Sequence, residues 1–110
     1  MNATESYDRT AKKYRRVYSL DSKRLCFLSV FLTEQRRLES INFDVEAADD
    51  YHYQIDSDQI PTLCDTLSCQ NTEVGIAEAL SKRLATWTNP IEIATFLQTA
   101  GIKYQAFHWH

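Results

Sequence analysis

Polar and apolar residues alternate from Leu38 to Val45. Ile41, Phe43 and Val45 fall on one side, and Ser40, Asn42 and Asp44 on the other. A period of two is that of a half-buried β-strand, so the first set is expected in a core and the second in water. Tyr51 to Ile55 repeats the pattern, with Tyr51, Tyr53 and Ile55 opposed to His52 and Gln54. Two earlier segments read as strands for other reasons. Lys13 to Leu20 offers Tyr14, Val17 and Tyr18 for packing. Leu25 to Leu32 is the most apolar run, and its length and Phe and Val content predict a central strand buried on both faces. Asp21-Ser22-Lys23, Thr33-Glu34-Gln35-Arg36 and Ala47 to Asp50 are the expected turns.

The period then changes. Asp56-Ser57-Asp58 precedes Ile60-Pro61, and a proline in a first helical turn loses no hydrogen bond. This predicts a helix over 58–68 with Asp58 as its cap. Val74, Ile76, Ala77, Leu80, Leu84 and Trp87 are spaced for one face of a second helix over 73–87, opened by Thr72. Asn89-Pro90-Ile91-Glu92 starts a third over 90–100. Ile93, Phe96, Leu97 and Ala100 form its apolar face, and Gly101 is its left-handed terminator. Ile102 to Trp109 alternates again and closes the chain as a strand. Strands first, helices after and one returning strand predict an α+β, two-layer domain: a mostly antiparallel sheet of about five strands with three helices on one face. Residues 1–11 read as a polar lead-in to a single domain over 12–110. Phe27, Val30, Ile41, Phe43, Leu63, Leu80, Leu84, Phe96 and Leu97 are the expected core.

Composition bounds this picture. The chain has 110 residues, 44% of them hydrophobic and 12% aromatic, with only two Gly and two Pro. That is enough apolar material for one core and too little Gly and Pro for long linkers. No apolar run approaches the roughly 18 residues of a membrane span. The polar stretch Met1 to Ser6 lacks the apolar centre of a signal peptide, so a cytoplasmic protein is expected. Cys26, Cys64 and Cys69 contain no CxxC pair. Cys26 and Cys64 are read as small core hydrophobes, and no metal is expected.

Charge is segregated along the chain. Residues 1–37 carry nine bases against four acids, a balance of +5; residues 38–110 carry three bases against eleven acids, a balance of −8. Between Leu38 and Glu73 no Lys or Arg occurs. A stretch of one sign builds an acidic face, which attracts a basic partner. The basic half interleaves Lys12, Lys13, Arg15 and Arg16 with Tyr14 and Tyr18, as nucleic-acid stacking platforms do. The overall pI of about 5.5 argues against that use.

No Gly-rich phosphate loop, HExxH or GxSxG is present, and no catalytic residue is assigned. His108 and His110 would share one face of a strand, where the plainer reading is two solvated rings on an aromatic terminal strand. Asp49-Asp50 is read as loop charge rather than a general acid and base. No cofactor is expected.

Asp50-Tyr-His-Tyr-Gln-Ile-Asp-Ser-Asp-Gln-Ile-Pro61, two helices and then Phe96-Leu-Gln-Thr-Ala-Gly-Ile-Lys-Tyr-Gln-Ala-Phe-His-Trp109 form a layout over residues 25–110. It resembles that of small bacterial immunity proteins encoded beside polymorphic or contact-dependent growth-inhibition toxins. The resemblance implies a non-enzymatic protein that covers the basic active site of a cognate toxin, a nuclease by preference. It carries over no catalytic residues. On the residues themselves, Asp44, Glu46, Asp49, Asp50, Asp56 and Asp58 are the expected partner-binding acids, with Tyr51 and Tyr53 as anchors. A small regulatory or adaptor domain is the alternative, and an enzyme of unrecognised type using His52, His108 or His110 is the third reading.

Overall fold

The computed structural model describes residues 3–46 and 50–109. Six strands run β1 (Ala3–Asp8), β2 (Lys13–Asp21), β3 (Cys26–Thr33), β4 (Leu38–Glu46), β5 (Asp50–Asp56) and β6 (Gln105–Trp109). They form one antiparallel sheet in sequence order. Helices α1 (Ile60–Leu67), α2 (Glu73–Leu84) and α3 (Glu92–Thr99) lie between β5 and β6 in the chain. The α+β class is as the sequence predicts, with one strand more.

The extra strand is β1, which falls in the expected lead-in. Every residue of β1 is exposed, so it has no apolar alternation to betray it. Its turn is the legible part: Asp8 Oδ1 accepts from the backbone N–H groups of Thr10 and Ala11, and Lys12 takes a positive φ of 53°. Its side chains hold it to the sheet. Glu5 pairs with Arg16 at 2.6 Å and Arg36 at 2.9 Å, and Tyr7 packs on Tyr14 with ring centroids 4.6 Å apart. The β3–β4 turn places Arg36 at φ 64°, a job usually given to Gly or Asn. The predicted turn from Ala47 lies outside the described residues as far as Asp49.

Register explains the core. Leu28 pairs with Phe43 and Phe43 with Tyr53; Val30 pairs with Ile41 and Ile41 with Ile55. These rows face the helices, and Leu63, Ile76, Leu80, Leu84, Ile93 and Leu97 fill the space above them, each at most 2% exposed. Cys26 and Cys64 are buried there as expected. Burial pushes the Cys64 thiol up to about 11, which keeps it protonated and inert as a nucleophile. Two expected core residues are only half-buried. Phe27 lies on the opposite face of the sheet, paired with Ser19 and Asp44. Phe96 sits at the rim of the helical layer, its ring 5.9 Å from Trp87 with Arg83 over it at 5.2 Å.

The helix ends follow local chemistry with one exception. Thr72 Oγ1 accepts from Gly75 N–H and caps α2. Asn89 Oδ1 accepts from Ile91 N–H while Glu92 Oε2 accepts from Asn89 N–H, a reciprocal capping box. Gly101, at φ 73°, ends the α3 segment. Asp58, expected to cap α1, does not. It lies in a 3-10 turn, Ser57–Gln59, and α1 begins after Gln59 with no side-chain cap bond.

Helix α2 is fastened at both ends by the basic half of the chain. At its start, Glu73 accepts from Arg16 at 2.6 Å and from the Tyr18 hydroxyl at 3.0 Å. At its end, Arg24 donates to the carbonyls of Leu84 at 2.8 Å and Trp87 at 3.3 Å. A cation on the last carbonyls of a helix satisfies orphan acceptors and opposes the macrodipole. Much of the basic segment is therefore spent on structure.

Candidate functional site

Among the described residues, no helix covers the second face of the sheet. Three of its rows, running from β2 to β5, are Arg15–Phe31–Ser40–Asp56, Val17–Ser29–Asn42–Gln54 and Ser19–Phe27–Asp44–His52. The polar side of β4 was expected in water. Instead Asp44 is 2% exposed and Ser40 8%, and neighbouring Ser29 on β3 is fully buried. These side chains are short, and Arg15, Phe27, Phe31 and His52 stand around them.

The buried carboxylate is fully engaged. Ser29 Oγ donates to Asp44 Oδ2 at 2.7 Å, and His52 Nδ1 lies 2.7 Å from Asp44 Oδ1. Arg15 reaches the same cluster, donating from Nη2 to Ser29 Oγ at 3.0 Å with Nη2 4.0 Å from Asp44. A buried charge is tolerable only when paired and hydrogen-bonded, and this one is. Beside it, the buried Asn42 Oδ1 finds no donor among the described residues.

The eight residues assigned from sequence therefore separate. Asp44 is an internal acceptor and not a rim charge. Tyr53 is 4% exposed and turned to the helices, its ring 6.0 Å from Tyr104, and burial pushes its phenol above the usual tyrosine range. Tyr51 is half-buried on the same side and stacks on His108 at 4.1 Å. Neither tyrosine is presented as an anchor beside the acids. Asp56 and Asp58 are exposed at one end of β5, held to Gln54 and Gln59 at 3.2 and 3.3 Å. Asp50 stands at the other end, about 20 Å away at the usual rise per residue. Asp49 lies outside the described residues.

The pair that the fold does bring together is Glu46 and Asp50, directly opposite in the β4–β5 register. Neither forms an ion pair among the described residues. Other acids of the block are neutralised: Glu39 by Lys13 at 3.6 Å and Glu73 by Arg16 at 2.6 Å. The charge segregation seen along the sequence is thus partly cancelled in space, and Glu46, Asp50 and Asp56, which form no ion pair among the described residues, stand at strand ends.

Sequence reasoning missed the Arg15–Ser29–Asp44–His52 cluster. One signal was available: Ser29 is the only hydroxyl within the apolar run Leu25 to Leu32, and a polar residue in a buried strand needs a partner. No group of His, Cys, Asp and Glu suited to a metal occurs among the described residues. Likewise, no helix there is long and apolar enough to cross a membrane. Comparison with family models, curated proteins and solved structures returns no match.

Proposed function

We propose that this chain is a non-enzymatic immunity protein of the cytoplasm. It binds a basic protein toxin, a nuclease by preference, through the acidic end of β4 and β5. The observation that carries this reading is the Glu46–Asp50 pair. Like charges directly opposite on adjacent strands destabilise a sheet, and no base compensates them among the described residues. A basic surface would relieve that repulsion on binding and would be steered toward it. The resemblance of layout to immunity proteins points to the same class of partner.

The test uses the product of the gene directly upstream, purified with and without this chain. A complex is expected. Glu46→Gln with Asp50→Asn should slow association about tenfold at low salt while leaving thermal stability unchanged or slightly higher. Unaltered association by the double variant would remove the acidic end from the interface, and no complex at all would remove the immunity reading.

One observation favours a second reading. Asp44 holds His52 by Nδ1, the arrangement that orients an imidazole for acid–base work. On that reading His52→Gln would abolish an activity that the Glu46 and Asp50 substitutions leave intact.

A further inference from the structure

The uncovered face of the sheet is self-complementary, and we propose that it pairs two copies of this chain face to face. The twofold axis would run between β3 and β4, parallel to the strands. Such a rotation lays β2 of one copy over β5 of the other and β3 over β4, with every row kept in place.

The Arg15–Asp56 row then matches in charge. Arg15 and Asp56 stand in one row but three strands apart, about 14 Å at the usual strand spacing, too far to meet within one chain. The rotation brings the Arg15 of each copy over the Asp56 of the other. Arg15 is free to serve, since its side chain is 48% exposed while anchored on Ser29. Between the charges the relief also fits. Strand β3 presents the half-buried rings of Phe27 and Phe31 on either side of Ser29. Strand β4 offers the recessed Asp44 and Ser40 on either side of Asn42. The rings of each copy thus come over the short side chains of the other, twice over. A cleft of about 410 Å³ lined by Ser6, Asp8, Ala11, Lys13, Arg15 and Phe31 lies where the second copy's Asp56 would enter. Two of those six residues are bases and one is an acid. Sheets packed face to face through alternating side chains are a stable architecture, and a twofold interface must place one patch on itself.

The acidic end at Glu46 and Asp50 lies about 20 Å along the strands from this row. The charge-reversal variants at Arg15 and Asp56 therefore leave the acids proposed to meet a toxin unaltered.

The experiment is sedimentation equilibrium of the purified chain, with Arg15→Asp, Asp56→Arg and the double variant. Wild-type protein should sediment at twice its 12.8 kDa mass. Each single variant should weaken the dimer about tenfold or more by setting like charges against each other. The double variant restores opposite charges across the axis and should recover the dimer. Asp56→Arg alters an exposed side chain, so it reports on association even where Arg15→Asp impairs folding. Wild-type protein that stays monomeric at about 100 μM would overturn the proposal. So would a dimer indifferent to Asp56→Arg, or a face that the upstream gene product protects on a monomer.

Discussion

The two faces of this sheet are built from the same strands by opposite means. The helix-covered face is apolar across four strands, from Tyr18 through Leu28 and Phe43 to Tyr53, and needs only shape to be stable. The other buries a carboxylate, two serines and an asparagine oxygen among two phenylalanines, a histidine and an arginine. Apolar packing tolerates small rearrangements. A buried charge does not, because each lost hydrogen bond leaves a group desolvated and unmatched. The first face therefore accounts for the stability of the fold. The second is specific in a way that stability alone does not require.

That contrast can be broken at its strongest point first. Phe43→Ala removes a ring 1% exposed beneath the helices and should cost about 3–5 kcal/mol in denaturant melts. Phe31→Ala, on the open face, should cost less than half as much. Equal costs would mean that the open face is as much a core as the covered one.

A second substitution tests the polar cluster. Asp44→Ala strands the Ser29 hydroxyl and the His52 ring, and should cost about 2 kcal/mol. Removing Ser29 as well should cost little more, because the two side chains act together. Additive losses in this double-mutant cycle would show that they do not.

The smallest effect belongs to the edge. The hydrogen bond from Arg16, helped by the charge of Arg36, holds the Glu5 carboxyl below the usual carboxylate range. The folded state therefore resists protonation more than the unfolded one. Its contribution is complete above the ordinary carboxylate value and fades as pH falls through the lowered one. Hydrogen-exchange protection of the β1 amides should decline on acidification before that of β3 and β4. Simultaneous loss across the sheet would show that β1 is not held separately.

How far the sequence revealed this molecule depended on what each element had to bury. Strands β4 and β5 and the three helices carry apolar periods because each packs one side against the core, and those periods were readable; β3 was readable only as an unbroken apolar run. Strand β1 buries no residue, so Ala3 to Asp8 looked like a tail. Alternation placed Asp44 and Tyr53 on the right sides of their strands but not in the right surroundings. Period two says which residues share a side, not which side is covered or how deeply short side chains sink between long ones. The acids were close in sequence, yet an antiparallel strand carries its ends apart, so Asp50 and Asp56 parted while Glu46 and Asp50 met. Capping boxes survived translation into structure because they are local; the Arg24 bonds to Leu84 and Trp87, 60 and 63 residues away, had no sequence signature.

The strand order has a consequence for how the chain acquires its shape. The first five strands pair in chain order with at most four residues between one and the next, so hairpins can zip in succession as residues emerge during synthesis. The sixth is different: Tyr53 must wait for Ala106, and the three helices lie between them. Closing a loop of that length costs about 3–4 kcal/mol in chain entropy by the logarithmic rule, before its constant term. Until it closes, the edge of β5 is an open row of hydrogen-bonding groups. Removal of residues 105–110 should therefore leave a chain that still collapses but that joins to its neighbours through β5, visible as concentration-dependent aggregation during refolding.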